Sequence, residues 1–472
     1  MVSLIHYRPL TFATHVSSSF STRLVPYPPD LIKWVKREGG FVHKSIQLSD
    51  KSNGVGLVAS ESIPKGCPLI TLPDHVPLKF GSVADQDVLD GPTSVLVDLA
   101  QKIPDELWAM KLGLKLLHER AKVGSFWWPY ISNLPEAFNL PIFFPEEDVK
   151  NLQYPPLIYQ VNKRCLFMLD FEKIITRKLD NLEAKDHPFG GQAVDASAIA
   201  WAMSAVSSRS FRLYGEKLAD GTRAGAPMLL PLIDMCNHSF NPNARIVQEQ
   251  DANTASMLVK VIAESDIKKN ESLLLNYGCL SNDLLLLDYG FVIPSNPYDM
   301  VDLKYDETLL EAASNEVGVF TPCFSSPRLW QKQILSRLHL DGDDSSLKVT
   351  LGGEEVVDGR LLAAIRILLT NDEEAVAKLD LETLKSLSSD APLGVSNELA
   401  ALHTVVGLCG ILHRCFPSKE IDDKSILESD AVSASTKLAV QYRFQKKRVI
   451  SEVMKHLSNK LKPLIMQVTA RS

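Results

Sequence analysis

The sequence is short of the features that mark several broad protein classes. It has no run of about 18 or more consecutive apolar residues, so a plain transmembrane helix is not expected. Its seven cysteines (67, 165, 236, 279, 323, 409 and 415) are scattered and odd in number, and no CxxC occurs. A disulfide scaffold is therefore not expected, and a reducing compartment is the default. No GxGxxG opens a helix, so a dinucleotide fold has no support. Basic residues are not in excess: Lys and Arg number 50 against 57 Asp and Glu, for a net charge of −7. A general nucleic-acid binder carries the opposite balance, although a local basic cleft stays open. Residues 1–29 contain no Asp or Glu at all.

That acid-free N-terminus is not otherwise featureless. It carries Arg8, Arg23, His6 and His15 and a Ser/Thr-rich run from Thr14 to Thr22. Organelle transit peptides share this composition, whereas a secretory signal needs a longer apolar core. Residues 1–25 are expected to be a transit peptide, with an unstructured tail as the alternative. The chain's 472 residues exceed one ordinary core, so two or three domains are expected. A composition of 45% hydrophobic and 23% charged residues is that of a soluble globular protein.

The texture changes along the chain. Gly54–Ala59 and Pro68–Leu72 read as short strands, with Ile63-Pro64-Lys65-Gly66 as a turn, and together suggest an antiparallel pair. Residues from about 104 to 215 look mostly helical. Leu107, Met110, Leu114, Leu117 and Ala121 share one helical face, and further helices are expected over Pro156–Leu182 and over Asp195–Ser208 with Asp195 as cap. β texture returns at Met228–Ile233, Ala244–Val247, Met257–Val261 and Leu273–Asn276. Beyond about 305 the pattern is helical, clearest over Leu361–Leu369, Glu398–Leu412 and Ala439–Leu461, with loops expected at Gly342–Ser346, 386–392 and 422–435. The two β regions are expected to pair, because short strands are rarely stable alone. The fold class is α+β.

Three motifs carry chemistry, and each has an ordinary reading when taken singly. Asn53-Gly54-Val55-Gly56 is a β-turn that would also let backbone approach a ligand closely. Cys236 and His238 have ligand-type side chains, but no second Cys/His pair lies nearby, so no metal is expected. Tyr277, in Asn276-Tyr277-Gly278, is by itself a packed tyrosine with a satisfied hydroxyl.

Taken in order, the early glycine turn, then Asp234-Met235-Cys236-Asn237-His238-Ser239, then Asn276-Tyr277-Gly278 with Ser281-Asn282 and Asp288-Tyr289-Gly290-Phe291, form one constellation. It resembles the SET-domain methyltransferases, and within them the Rubisco large-subunit methyltransferase subfamily. The motifs cover residues 50–295, and the helical insertion and helical C-terminal region resemble that subfamily's layout. The resemblance implies a SET β-fold with a pseudoknot over 26–300, interrupted by the helical insertion, and an all-helical substrate-binding domain over 301–472. It implies S-adenosylmethionine as methyl donor. Asn53, Gly54 and Val55 would line the donor pocket, Asn237 and His238 would hold the adenine, and Tyr289, Gly290 and Phe291 would pack around the donor. Arg209 would contact the donor's carboxylate, with Arg212 as fallback because the spacing from Arg209 to Asp234 departs from that of relatives. Asp234 would line the donor and substrate region, and Tyr277 would be the catalytic tyrosine.

The subfamily methylates lysine, and at least one relative methylates histidine. An imidazole acceptor wants a polar partner, whereas Phe211 and Ile233 flank the expected site with apolar side chains. Lysine is the expected acceptor, on a substrate-binding surface that includes Arg209, Phe211, Arg212 and Asp234. The expected partner is a folded protein, with Rubisco large subunit or fructose-bisphosphate aldolase as family-level candidates; nucleic acid and membrane are not expected. The chloroplast is the expected location, with mitochondrion or cytosol as alternatives. The competing readings are a histidine methyltransferase and a catalytically inactive SET-based binding module.

Overall fold

The computed structural model describes residues 11–12, 23–51, 54–80, 91–217, 223–250, 257–319, 324–342 and 347–470. The chain divides into two compact units. The first comprises residues 1–147, 159–279 and 287–290; the second comprises 148–158, 280–286 and 291–472. Asn53 lies outside the described residues, as does most of the expected transit segment. Of that segment, the Phe12 N–H donates to Ile142 O at 2.8 Å and the Leu24 N–H to Leu134 O at 2.7 Å.

The first unit is built on short strands. β1 (Phe41–Val42), β4 (Pro68–Leu72), β10 (Met257–Ala263) and β9 (Ala244–Gln250) form an antiparallel sheet in that order. The two β regions do pair: Thr71 faces Lys260 and Ile70 faces Val261. β10 shows why, since Val259, Val261 and Ala263 are buried while Lys260 between them is not. The expected pairing of Gly54–Ala59 with Pro68–Leu72 does not occur. Instead β3 (Gly54–Ala59) folds back on β2 (Ile46–Lys51), with Lys51 opposite Gly54. The turn between β3 and β4 reaches across the sequence, and the Gly66 N–H donates to Ala263 O at 2.8 Å.

β5 (Leu78–Lys79), β7 (Arg223–Leu229) and β6 (Ser210–Lys217) make a second sheet, in the order β5-β7-β6. β8 (Asn237–His238) and β11 (Leu274–Leu275) pair in parallel. The expected helices are present as Ala109–Ala121 and Ala196–Ser207, and Asp195 caps the latter by accepting from the Ala198 N–H at 2.7 Å. The helical texture expected to about 215 stops sooner, because β6 starts at Ser210.

The second unit is mainly helical, with Glu307–Glu316, Gly359–Leu368, Val395–Arg414 and Ala434–Thr469 as its principal helices. It is not all-helical: β12 (Met300–Lys304) and β13 (Lys348–Gly352) pair antiparallel, Val301 opposite Leu351. β13 buries only Val349 and Leu351, too short a pattern to stand out in a polar stretch. The loop expected over 422–435 is partly a helix, Glu420–Glu428, whose first turn carries Glu420, Asp422 and Asp423 where the helix dipole favours acids. Residues 386–392 are a loop, as expected. Val395–Arg414 is long and apolar enough to cross a membrane. Here it behaves as a core helix: Ala401, Leu402, Val405 and Leu408 are fully buried, and Glu398 holds the buried Arg366 guanidinium through bonds of 2.7 and 2.8 Å.

Candidate active site

The apolar stretch 228–233 does not run through as one strand. β7 ends at Leu229. Pro231 has no N–H to offer a ladder, and Leu232 takes a left-handed φ of 72°. A short 3-10 turn follows over Ile233–Met235, with the Asp234 N–H on Leu230 O at 3.0 Å. This break turns Asp234 out of the strand and releases the chain into β8.

Leu273 ties the motifs together. Its N–H donates to Leu57 O at 2.9 Å, and its carbonyl accepts from the Asn237 N–H at 3.3 Å. The glycine strand, the Asn237-His238 strand and the approach to Tyr277 therefore lie side by side. Gly56 allows this closeness, since a Cβ there would sit 3.1 Å from Asn237 Nδ2. Asn243 locks the loop's far end: its Nδ2 donates to Ser272 O at 2.9 Å, and its Oδ1 accepts from the Leu274 N–H at 2.8 Å.

Tyr277 is held from three directions. Its N–H donates to His238 Nδ1 at 3.1 Å, and its hydroxyl donates to Cys236 O at 2.5 Å. Its ring stacks on Tyr289 with centroids 5.1 Å apart. Burial pushes the His238 imidazole down, in keeping with an unprotonated Nδ1 that accepts. Burial also pushes the Tyr277 phenol well up, with Cys236 and Tyr289 adding to it, so the phenol is neutral at ordinary pH. Tyr289 is pushed up to about 12 by burial and by Asp288. Its turn is pinned by Arg164, which donates to Asp288 Oδ1 at 2.7 Å and to Leu287 O at 3.2 Å.

A cavity of about 560 Å³ opens beside these groups, and Arg209, Phe211, Arg212, Asp234, Tyr277 and Tyr289 line it. Phe211 stands edge-on to Tyr277, with centroids 6.3 Å apart at 88°. Arg209 Nη1 reaches Asp234 O at 3.3 Å and Asp234 Oδ2 at 3.5 Å. Arg212 is exposed and sets its guanidinium over the Trp108 ring at 5.7 Å. Ile233 is wholly buried and not part of the lining. Gly54, Val55, Asn237, His238 and Gly290 also stand outside the lining. Gly290 has a packing reason of its own: at φ 77°, a Cβ would lie 2.5 Å from Asn139 O. Phe291 belongs to the second unit, where its N–H bonds Leu285 O at 3.4 Å. Cys236 is fully buried, and burial pushes its thiol up, so it is a packed filler rather than a nucleophile.

Three contributors were not foreseen in the sequence: Asn243, Arg164 and Tyr130. The Tyr130 hydroxyl donates to Asp234 Oδ2 at 2.7 Å across 104 positions. Its only local signal was an aromatic cluster, Phe126-Trp127-Trp128-Pro129-Tyr130, which says nothing about a distant carboxylate.

Comparison with known proteins places this geometry. The SET domain family model matches residues 54–278, and the Rubisco LSMT substrate-binding model matches residues 325–450. The chain belongs to the SET-domain protein methyltransferases of the Rubisco LSMT type. Among curated relatives, actin-histidine N-methyltransferases of Callithrix jacchus and Homo sapiens are 26% identical over 453 residues, covering 93% of this chain and 70% of theirs. The solved structure of Rubisco LSMT bound to AdoMet superposes with a TM-score of 0.61 at 18% identity, covering 92% of each chain. The LSMT SET domain bound to lysine and AdoHcy gives a TM-score of 0.60 at 19% identity, covering 92% of this chain and 91% of that one. In this SET domain the glycine strand, the Asn237-His238 loop and the approach to Tyr277 lie side by side, and the second unit includes the strand pair β12–β13.

Proposed function

We propose that this SET-domain methyltransferase is a protein-lysine N-methyltransferase that uses S-adenosylmethionine and acts on a folded, non-histone protein. The observation that carries the lysine reading is Phe211, set edge-on against Tyr277 in the cavity wall. An apolar aromatic wall suits the alkyl stem of lysine, while an imidazole would want a polar partner there.

The residues fit the donor. When bound, S-adenosylmethionine supplies an electrophilic methyl group on a sulfonium. Among the described residues, Arg209 Nε is buried without a partner, a free donor suited to the carboxylate of an amino-acid end. The bare backbone at Gly56 lets the Asn237 amide lie close against the glycine strand. The Tyr277 proton is committed to Cys236 O, so the phenol oxygen is left as an acceptor for an amine N–H. A phenol kept neutral by burial is no base, and Tyr277 therefore orients rather than deprotonates. The lysine, with an aqueous pKa of about 10.4, is favoured as free amine by the desolvated wall and by the sulfonium's charge. Alignment in a dry site then supplies most of the rate.

Histidine is the second reading, because curated relatives at 26% identity are named actin-histidine N-methyltransferases. The acid-free segment 1–29 supports a chloroplast protein, with mitochondrion or cytosol as alternatives, and with Rubisco large subunit or fructose-bisphosphate aldolase as candidate substrates. The test is incubation with labelled S-adenosylmethionine and a stromal extract, followed by mass-spectrometric assignment of the labelled side chain. Label on lysine supports the reading; label on histidine replaces it. No label and no donor binding by calorimetry would mean an inactive binding module.

A further inference from the structure

Tyr130, Asp234 and Arg209 form a buried relay in the wall of the cavity. The Tyr130 hydroxyl donates to Asp234 Oδ2 at 2.7 Å, and Arg209 Nη1 meets the same oxygen at 3.5 Å and Asp234 O at 3.3 Å. Arg209 and Asp234 both line the cavity; the Asp234 side chain is fully buried and that of Arg209 is 17% exposed, so the guanidinium is the more accessible of the two. A buried carboxylate needs both a charge partner and hydrogen bonds to stay ionised. Here it has one of each: the guanidinium and the phenol. Asp234 Oδ1 has no partner among the described residues, which leaves the Tyr130 bond with no local substitute.

We infer that Tyr130 is a positioning residue of the methyl-transfer site: through Asp234 it holds the Arg209 guanidinium in the cavity wall to receive the anionic end of the methyl donor. The inference rests on the reading that the donor binds in this unit. No side-chain contact to the cavity is needed from Tyr130 itself, which is fully buried. The groups facing Asp234 are Arg209, Tyr130, Cys236 and Tyr277. Burial raises the carboxyl above its ordinary value, while Arg209 and Tyr130 pull it back. Removing the phenol therefore raises it further, and Asp234 loses its charge, and with it its hold on Arg209, at a higher pH than before.

The experiment is calorimetry with S-adenosylmethionine on wild type, Tyr130→Phe, Asp234→Asn and the double variant, with melting curves of the ligand-free proteins between about pH 4 and about pH 8. Tyr130→Phe keeps the ring and so the packing. It is expected to weaken donor binding by about tenfold or more, the scale of a hydrogen bond to a charged group. In the Asp234→Asn background the same change is expected to do little, because the relay is already cut. The melting gap between wild type and Tyr130→Phe should be widest at neutral pH and close as Asp234 takes up a proton. Unchanged donor affinity in folded Tyr130→Phe overturns the inference and leaves Tyr130 a core residue. An equal loss in both backgrounds also overturns it. A wild-type protein that binds no donor overturns the methyltransferase reading, and the positioning role with it, even if the melting gap persists.

Discussion

The Tyr277 hydroxyl and the Cys236 carbonyl oxygen are 2.5 Å apart, and the hydroxyl proton is committed to that carbonyl. This fixes the phenol oxygen beside the cavity with its lone pairs free. Tyr277→Phe removes the oxygen and keeps the stack on Tyr289. Turnover is expected to fall by about a hundredfold or more, since loss of alignment alone has that scale. Stability should fall by only about 1 to 3 kcal/mol, the cost of leaving one carbonyl unpaired. Methylation assays beside thermal melts check this; a folded variant with near-normal turnover would remove Tyr277 from the chemistry.

Phe211→Asn exchanges the apolar edge against Tyr277 for an amide. Methylation of lysine is expected to drop by about tenfold, as the alkyl stem loses its apolar wall and the amide gains no partner from it. An imidazole should be accepted better. The check is the identified substrate carrying Lys or His at its target position, read by mass spectrometry. An unaltered lysine rate would show that Phe211 does not face the acceptor.

Gly56→Ala brings a methyl group to 3.1 Å from Asn237 Nδ2 and 3.8 Å from Met235 O. The amide must move, and with it the strand Asn237–His238. A cost of about 1 kcal/mol in stability is expected from such overpacking. Donor affinity should fall by more than that cost implies, because the displaced side chain belongs to the expected donor loop. Calorimetry and melting temperature measured on one preparation separate the two effects.

The second unit has its own sensitive point. Lys446 is fully buried and bonds Asp299 Oδ1 at 2.8 Å and Met300 O at 2.6 Å, with Asp283 as a further close partner. Lys446→Met strands two carboxylates and is expected to cost about 3 to 5 kcal/mol. Adding Asp283→Asn should recover part of the loss. Burial lowers the Lys446 pKa, but Asp283 and Asp299 outweigh it and the net value is raised. Its stabilisation is therefore complete below the ordinary 10.5 and lost as pH climbs through the raised value. Alkaline melts of wild type and Lys446→Met should converge at high pH.

Much of the site was legible because its parts are local. Asn237, His238 and Tyr277 sit in short motifs whose order along the chain carries the resemblance, and Asp195 marks its helix by an ordinary cap. What was not legible depended on distance or on local signals too weak to stand out. The apolar run 228–233 suggested one strand, but Pro231 and the left-handed Leu232 break it, and that break is what aims Asp234. Helix Glu420–Glu428 was hidden because its acids and serines resemble a loop until the dipole is considered. Strand β13 was hidden because two buried residues make too short a period.

The sequence by itself determined the chemistry available: a tyrosine between Asn and Gly, an Asn-His pair after an aspartate, and a glycine strand far upstream. It also determined the local devices, caps and turns, that begin and end the elements. Only the tertiary structure decided which of these groups meet. Leu273 bridges Leu57 and Asn237, Asn243 clasps Ser272 and Leu274, and Tyr130 reaches Asp234 across 104 positions. Such bonds join backbone and buried polar groups that must find partners somewhere in the fold, and where they find them depends on how distant strands pack.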